Sequence, residues 1–198
     1  MRPFSALLLV VLVAALVLTS CAGTKSQGQA PSSTEQPAIT GQPAGFNADD
    51  VAFATDMITH HRQAMEMSAL VPDRSTDPDL ITLASDISAV QGPEFEMTKV
   101  LLVQWKENPD TNTGQGGRGE AMKGMVDDAT MARLESLSGP EFDTLWLQSM
   151  IEHHRGAIEM AQAEIAYGAN VDAVGMAKQI VDTQKTQIGR MQQKLGGG

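Results

Sequence analysis

Apolar and polar residues alternate along this chain with the period of helices. From Asn47 onward, large apolar residues recur at three- and four-residue intervals, and no stretch shows the two-residue alternation of a strand. The first helix is expected from Asn47, a capping residue followed by Asp49 and Asp50, to about Val71, where Pro72 should stop it. A second begins at Asp77-Pro78 and runs to about Trp105, its apolar positions Leu80, Leu83, Ala84, Ile87, Val90 and Leu101 on one face. A kink is expected at Gly92-Pro93. Residues 107–120, rich in Gly, Asn and Thr, read as an exposed loop, and residues 127–137 as a short helix presenting Met131, Leu134 and Leu137. Ser138-Gly139-Pro140-Glu141 has the form of a capping box and opens a third long helix, which Gly168 ends. Asn170 caps a fourth, lasting to about Leu195.

Two of these helices carry the same text. Residues 56–67 and 149–160 agree at eight of twelve positions, at an offset of 93. Both contain Met-Ile-x-His-His-Arg-x-Ala. The match continues into the following helices, with Ile81/Val174, Ala84/Ala177, Ile87/Ile180 and Gln91/Gln184. The unit is a helical hairpin, present at about 47–106 and again at 138–195. Two hairpins make an all-α four-helix bundle. Their long connection suits a ferritin-like arrangement with a pseudo-twofold axis; a simple up-down-up-down bundle is the alternative.

On a helical wheel, Phe53, Met57, His60, His61, Ala64 and Met67 share one stripe, and Arg62 and Glu66 lie opposite, where they can pair. The second copy places Trp146, Met150, His153, His154, Ala157 and Met160 inward, with Arg155 and Glu159 outward. The alanines leave room between the helices.

Composition narrows the chemistry. The chain has 24 acidic against 14 basic side chains, a net charge of −10. That excludes phosphate-driven binding to nucleic acid and favours attraction of cations. All four histidines lie in the two repeated pairs, and 12 methionines accompany a single cysteine, Cys21. A metal site in the folded part must therefore use His, Met or oxygen; thioether and imidazole together suit copper. The candidate ligands are His60, His61, His153 and His154 with Met57, Met67, Met150 and Met160. Met122 and Met125 form a further pair that could cover the bundle end. For any one methionine, core packing is the plainer reading. No Glu-x-x-His or His-Glu-x-x-His occurs and no nucleophile stands out, so an enzyme is not indicated.

The N-terminal segment speaks of export. Arg2, an apolar run to Leu18, then Leu18-Thr19-Ser20-Cys21 have the form of a signal peptide over 1–20 with a lipidation cysteine, Cys21. Residues 21–46 are Gly-, Ser-, Thr- and Pro-rich and read as a flexible tether, followed by the domain at 47–195.

The doubled His-His-Arg segments, with matched Ala, Ile and Gln in the next helix, resemble the bacterial family catalogued as domain of unknown function 305. The resemblance covers about residues 47–195. It implies a ferritin-like helical fold, exported and often lipid-anchored proteins, and, for some members, copper binding or resistance. It points to the four histidines first and the four seam methionines second. Gly92-Pro93, and Thr98 where the second half has Met191, depart from the pattern. The expectation is an extracytoplasmic copper-binding lipoprotein that sequesters or hands on the ion, with homo-oligomerisation left open. The competing reading is an interaction or pH-sensing module whose histidines bind no metal, and a ferritin-type oxidase is a third.

Overall fold

The computed structural model describes residues 45–107 and 122–196. The signal peptide, Cys21, nearly all of the tether and most of the 107–120 loop lie outside the described residues. Five helices make up the described part: α1 (Ala48–Arg74), α2 (Pro78–Gln104), α3 (Asp128–Ser136), α4 (Gly139–Tyr167) and α5 (Val171–Gly196). It is an all-α bundle, and none of the described helices is long and apolar enough to cross a membrane.

Local chemistry sets the helix ends. The Asn47 side chain accepts from the N–H groups of Asp49 and Asp50, while Asp50 accepts from the Asn47 N–H at 2.6 Å, a reciprocal cap. Asp77 caps α2 and Asn170 caps α5, each accepting two first-turn N–H groups. These two caps stand at the 93-residue offset. Two expectations need correction. Pro72 does not end α1: the helix runs on to Arg74, and the Ser75 N–H closes the last turn on the Val71 carbonyl at 2.9 Å. The prolyl ring costs one donor, which the final turn tolerates. As expected, α2 continues through Gly92-Pro93 to Gln104. The capping box at 138–141 does not form. Gly139 enters α4 at a φ of +63°, and the Ser138 hydroxyl caps nothing.

The two hairpins, α1–α2 and α4–α5, pack chiefly through α1 against α4, with α2 beside α5. α1 and α4 are antiparallel. The start of α1 meets the end of α4, where the Asn47 amide donates to the Tyr167 carbonyl at 2.8 Å. Midway along, the Trp146 indole N–H donates to the Met67 carbonyl at 2.9 Å, and the end of α1 meets the start of α4 through Arg74 and the Leu137 carbonyl. The end of α2 returns to the start of α1, where Trp105 stacks on Phe46 with ring centroids 5.1 Å apart. The connection from α2 to α4 therefore travels the length of the bundle. That is the ferritin-like order, and the up-down-up-down alternative falls.

The core is two hydrophobic clusters rather than one. One gathers Phe53, Met57, Ile58, Leu101, Trp105, Ala157 and Ile180; the other gathers Met67, Leu80, Ile87, Phe142, Trp146, Met150 and Met191. The histidines lie between them.

Candidate metal centre

The i, i+3, i+4 stripe that buries Met57 and Ala64 also carries His60 and His61 inward, and the copy on α4 does the same for His153 and His154. All four imidazoles are fully buried. The antiparallel crossing brings His60 and His153 face to face, ring centroids 3.7 Å apart and planes tilted by 39°. His153 and His154 lie 6.3 Å apart, centroid to centroid. Arg62, Glu66, Arg155 and Glu159 are exposed. They do not pair as the i,i+4 spacing predicts. Arg155 turns to Glu152, Glu159 takes Lys123 at 2.6 Å, and Arg62 lies over the Phe95 ring.

The outer histidine of each pair has a partner on its own hairpin. His61 Nε2 meets Glu94 Oε2 at 2.9 Å, and His154 Nε2 meets Gln187 Oε1 at 2.8 Å. Glu94 and Gln187 stand at the repeat offset. A carboxylate only accepts, so His61 Nε2 donates to Glu94, and Nδ1 is the nitrogen left to offer a lone pair. The Gln187 oxygen sets His154 in the same way. Both Nδ1 atoms are buried without a hydrogen bond among the described residues, as are all four ring nitrogens of His60 and His153. Gln91 and Gln184, one turn before Glu94 and Gln187 on the same helix faces, add two more buried amides in that condition.

Burial holds His60, His153 and His154 neutral. It pushes His60 down to about 3 and, with the charges of neighbouring histidines, His153 well below its ordinary value. Burial takes His154 to about 4, against the Gln187 bond. Neutral imidazole is the form that ligates metal.

A strap closes the layer from one side. Residues 122–127, the end of the long connection, cross α1 and α4 at the level of the histidines, so Met122 and Met125 do not cover the bundle end. Gln63 clamps the strap, donating to the Val126 carbonyl at 2.7 Å and accepting the Val126 N–H at 2.8 Å. Gly124, at a φ of +80°, lies against α4, where an added Cβ would be 2.7 Å from the Glu152 carbonyl. The backbone meets Gly156 so closely that a Cβ there would collide with the Lys123 carbonyl. Gly156 and Gln63 are the same position in the two repeats. Gly156→Ala is therefore expected to expel the strap and cost on the order of 1–3 kcal/mol by urea denaturation, although alanine favours helix.

Among the described residues no three His, Asp or Glu side chains converge into a ready-made metal cluster. The donor set is softer: face-to-face imidazoles, with Met57 and Met150 one turn before them, both fully buried. Two neutral imidazoles and neighbouring thioethers suit a low-coordinate soft ion such as Cu(I). Met67 and Met160 stand two turns beyond the histidines, in the packing on either side, roughly 10 Å along the helix axis. The sequence reading missed Glu94, Gln187 and the strap. The repeat offset held the signal for the first two.

The comparisons agree on the fold. Residues 50–195 match the domain of unknown function DUF305. A crystal structure of a DUF305 protein from Streptomyces coelicolor, inferred to be secreted, is 34% identical, covering 72% of this chain and 89% of that one at a TM-score of 0.67. A DUF305 fragment from Deinococcus radiodurans is 30% identical, covering 79% and 100% at a TM-score of 0.69. CopM in its Cu(II)-bound form is 24% identical, covering 75% and 96% at a TM-score of 0.65, and it has also been solved with Cu(I) and with Ag. No protein with a curated description matches.

Proposed function

Because this chain belongs to the DUF305 family, whose name assigns no activity, we propose from its own site that it is an exported copper-binding protein that sequesters or hands on the ion. The observation that carries the reading is the mid-bundle layer of four buried imidazoles, two of which show no nitrogen in good hydrogen-bond geometry among the described residues. Such groups cost stability unless something binds them. His60 and His153 are the central ligands, His61 and His154 flank them through Nδ1, and Met57 and Met150 supply thioethers. Met67 and Met160 support the packing. Glu94 and Gln187 orient the outer rings. The copper- and silver-bound forms of CopM and the secretion inferred for the Streptomyces relative point the same way. In this reading Cys21 carries a lipid, and residues 21–46 hold the domain off the outer face of the cell membrane.

The test is competitive titration of the purified protein with Cu(I) and Cu(II). Binding tighter than about micromolar is expected, and the His60/His61/His153/His154 alanine variant should lose it by at least about a hundredfold. Equal binding by that variant sinks the proposal. A sensor working between pH 5 and 7 is disfavoured, because burial keeps His60, His153 and His154 neutral throughout that range.

A further inference from the structure

The pseudo-twofold axis gives the molecule two grooves between α2 and α5, and they have diverged. The first, about 600 Å3, is lined by the second half of α2 and the start of α5: Glu94, Met97, Val100, Leu101, Asp172 and Met176. The other, about 580 Å3, is lined by the start of α2 and the second half of α5. At the repeat offset, Met97 of the first becomes Arg190 of the second, Val100 becomes Gln193, Leu101 becomes Lys194 and Met176 becomes Leu83. Ion pairs bridge the second groove: Lys194 to Asp77 at 2.7 Å and Arg190 to Asp86 at 2.9 Å. The first has no basic residue in its lining.

Only the first groove leads to an imidazole through a carboxylate. The Glu94 side chain is 16% exposed and holds His61, which is fully buried. Its counterpart Gln187 is buried and uncharged. Thioethers gather on the same side. Met97 is 54% exposed, one turn after Glu94. Met176 is 8% exposed, its sulfur 3.8 Å from the Thr98 hydroxyl, which donates to the Glu94 carbonyl at 2.7 Å. The Met65 sulfur packs where a Cβ on Gly92 would sit 3.9 Å away, beside Pro93-Glu94. The equivalents of these three methionines are Arg190, Leu83 and Ile158.

We infer that the Met97–Met176 groove is the route by which a soft monovalent cation, Cu(I) or Ag(I), reaches the histidine layer, passing from exposed thioether to the Glu94 carboxylate that borders the layer. The inference rests on the copper reading. Thioether exchanges soft cations while holding them weakly, and an acidic groove raises their local concentration. The mirror groove has no methionine in its lining, and its Arg190 and Lys194 are paired with Asp86 and Asp77, so it offers a soft cation neither thioether nor free carboxylate at those positions. Duplication thus leaves one groove lined by thioethers and the other bridged by ion pairs.

The experiment follows Cu(I) transfer from a chromogenic chelator to the full chain by stopped flow, with equilibrium affinity measured separately. Met97→Arg copies the mirror groove at an exposed position, and Met97→Leu removes only the sulfur. Loading is expected to slow by roughly tenfold or more in Met97→Arg, less in Met97→Leu, with affinity unchanged. An unchanged rate in both overturns the route and leaves the copper site standing. A loss of affinity matching the loss of rate makes Met97 a ligand of the final site and also overturns the route. Wild-type protein that takes up no Cu(I) overturns the copper reading itself.

Discussion

Replacing His60 and His153 together by leucine is expected to make the metal-free protein more stable while abolishing tight copper binding. The sign follows from burial. Four ring nitrogens lie at zero exposure with no hydrogen bond of good geometry among the described residues, between two hydrophobic clusters that would accept apolar side chains. An unsatisfied buried polar group costs about 1–3 kcal/mol, and an apolar replacement of similar size costs less than about 1.5 kcal/mol. The balance is a gain on the order of 2–4 kcal/mol for the apo protein, read as a shift of the urea midpoint. Copper should stabilise the wild type and leave the double variant unmoved, since a ligand stabilises only the state that binds it. A double variant less stable than the apo wild type would make the imidazoles structural and remove the argument for a ligand.

Acid should undo the metal-free protein earlier than a helical bundle of this charge would otherwise fail. Burial lowers His60 to about 3 and His154 to about 4, and lowers His153 as well, while unfolded histidine titrates near 6.5. Below pH 6.5 the unfolded chain takes up protons that the folded chain refuses. The stability contributed by keeping these rings neutral is thus complete above about pH 6.5 and is lost progressively as pH falls toward 3. All three act in the same direction, so their losses reinforce one another as pH falls. Glu164 acts on the other side. Burial, then its contact with Asp50, raises its carboxyl to about 8. Its contribution is complete below about 4.5 and is lost as pH rises through 8. Asp50 would be raised by burial, but N–H donors from Asn170, Asn47 and Ala169 and its bond with Glu164 hold it below the ordinary carboxylate value. Denaturation curves between pH 4 and 9 should therefore peak near neutrality. The His60→Leu/His153→Leu protein should lose most of the acid slope and keep the alkaline one. An acid slope identical in the two proteins would contradict the assignment.

The helices and the inward stripe were legible because periodicity and caps are local. The 93-residue repeat carried the rest: two similar stripes on antiparallel helices must bring His60 toward His153. What stayed hidden depended on registers between helices. Glu94 meets His61 because α1 and α2 are in one particular register, which no local pattern states. Glu94 also differs in residue type from Gln187, so matching identities passed over the pair. Met122 and Met125 misled in another way. A loop that crosses two helices midway reads like one that covers their ends, and only the glycine at 156 marks where a backbone must come close. Pro72 was given too much weight, because the last turn of a helix survives the loss of one donor.

The antiparallel meeting of His60 with His153 also says how such a molecule can be taken apart. Because each hairpin shows its partner nearly the same face, the join is isologous, the kind two identical subunits make. The connection travels the whole bundle, its strap held by Gln63, a glycine contact and the Lys123–Glu159 pair, and its short helix α3 held by the buried Leu134. A chain whose strap is released can offer its second hairpin to the first hairpin of another copy. The exchanged dimer would contain two complete histidine layers, each built from two chains.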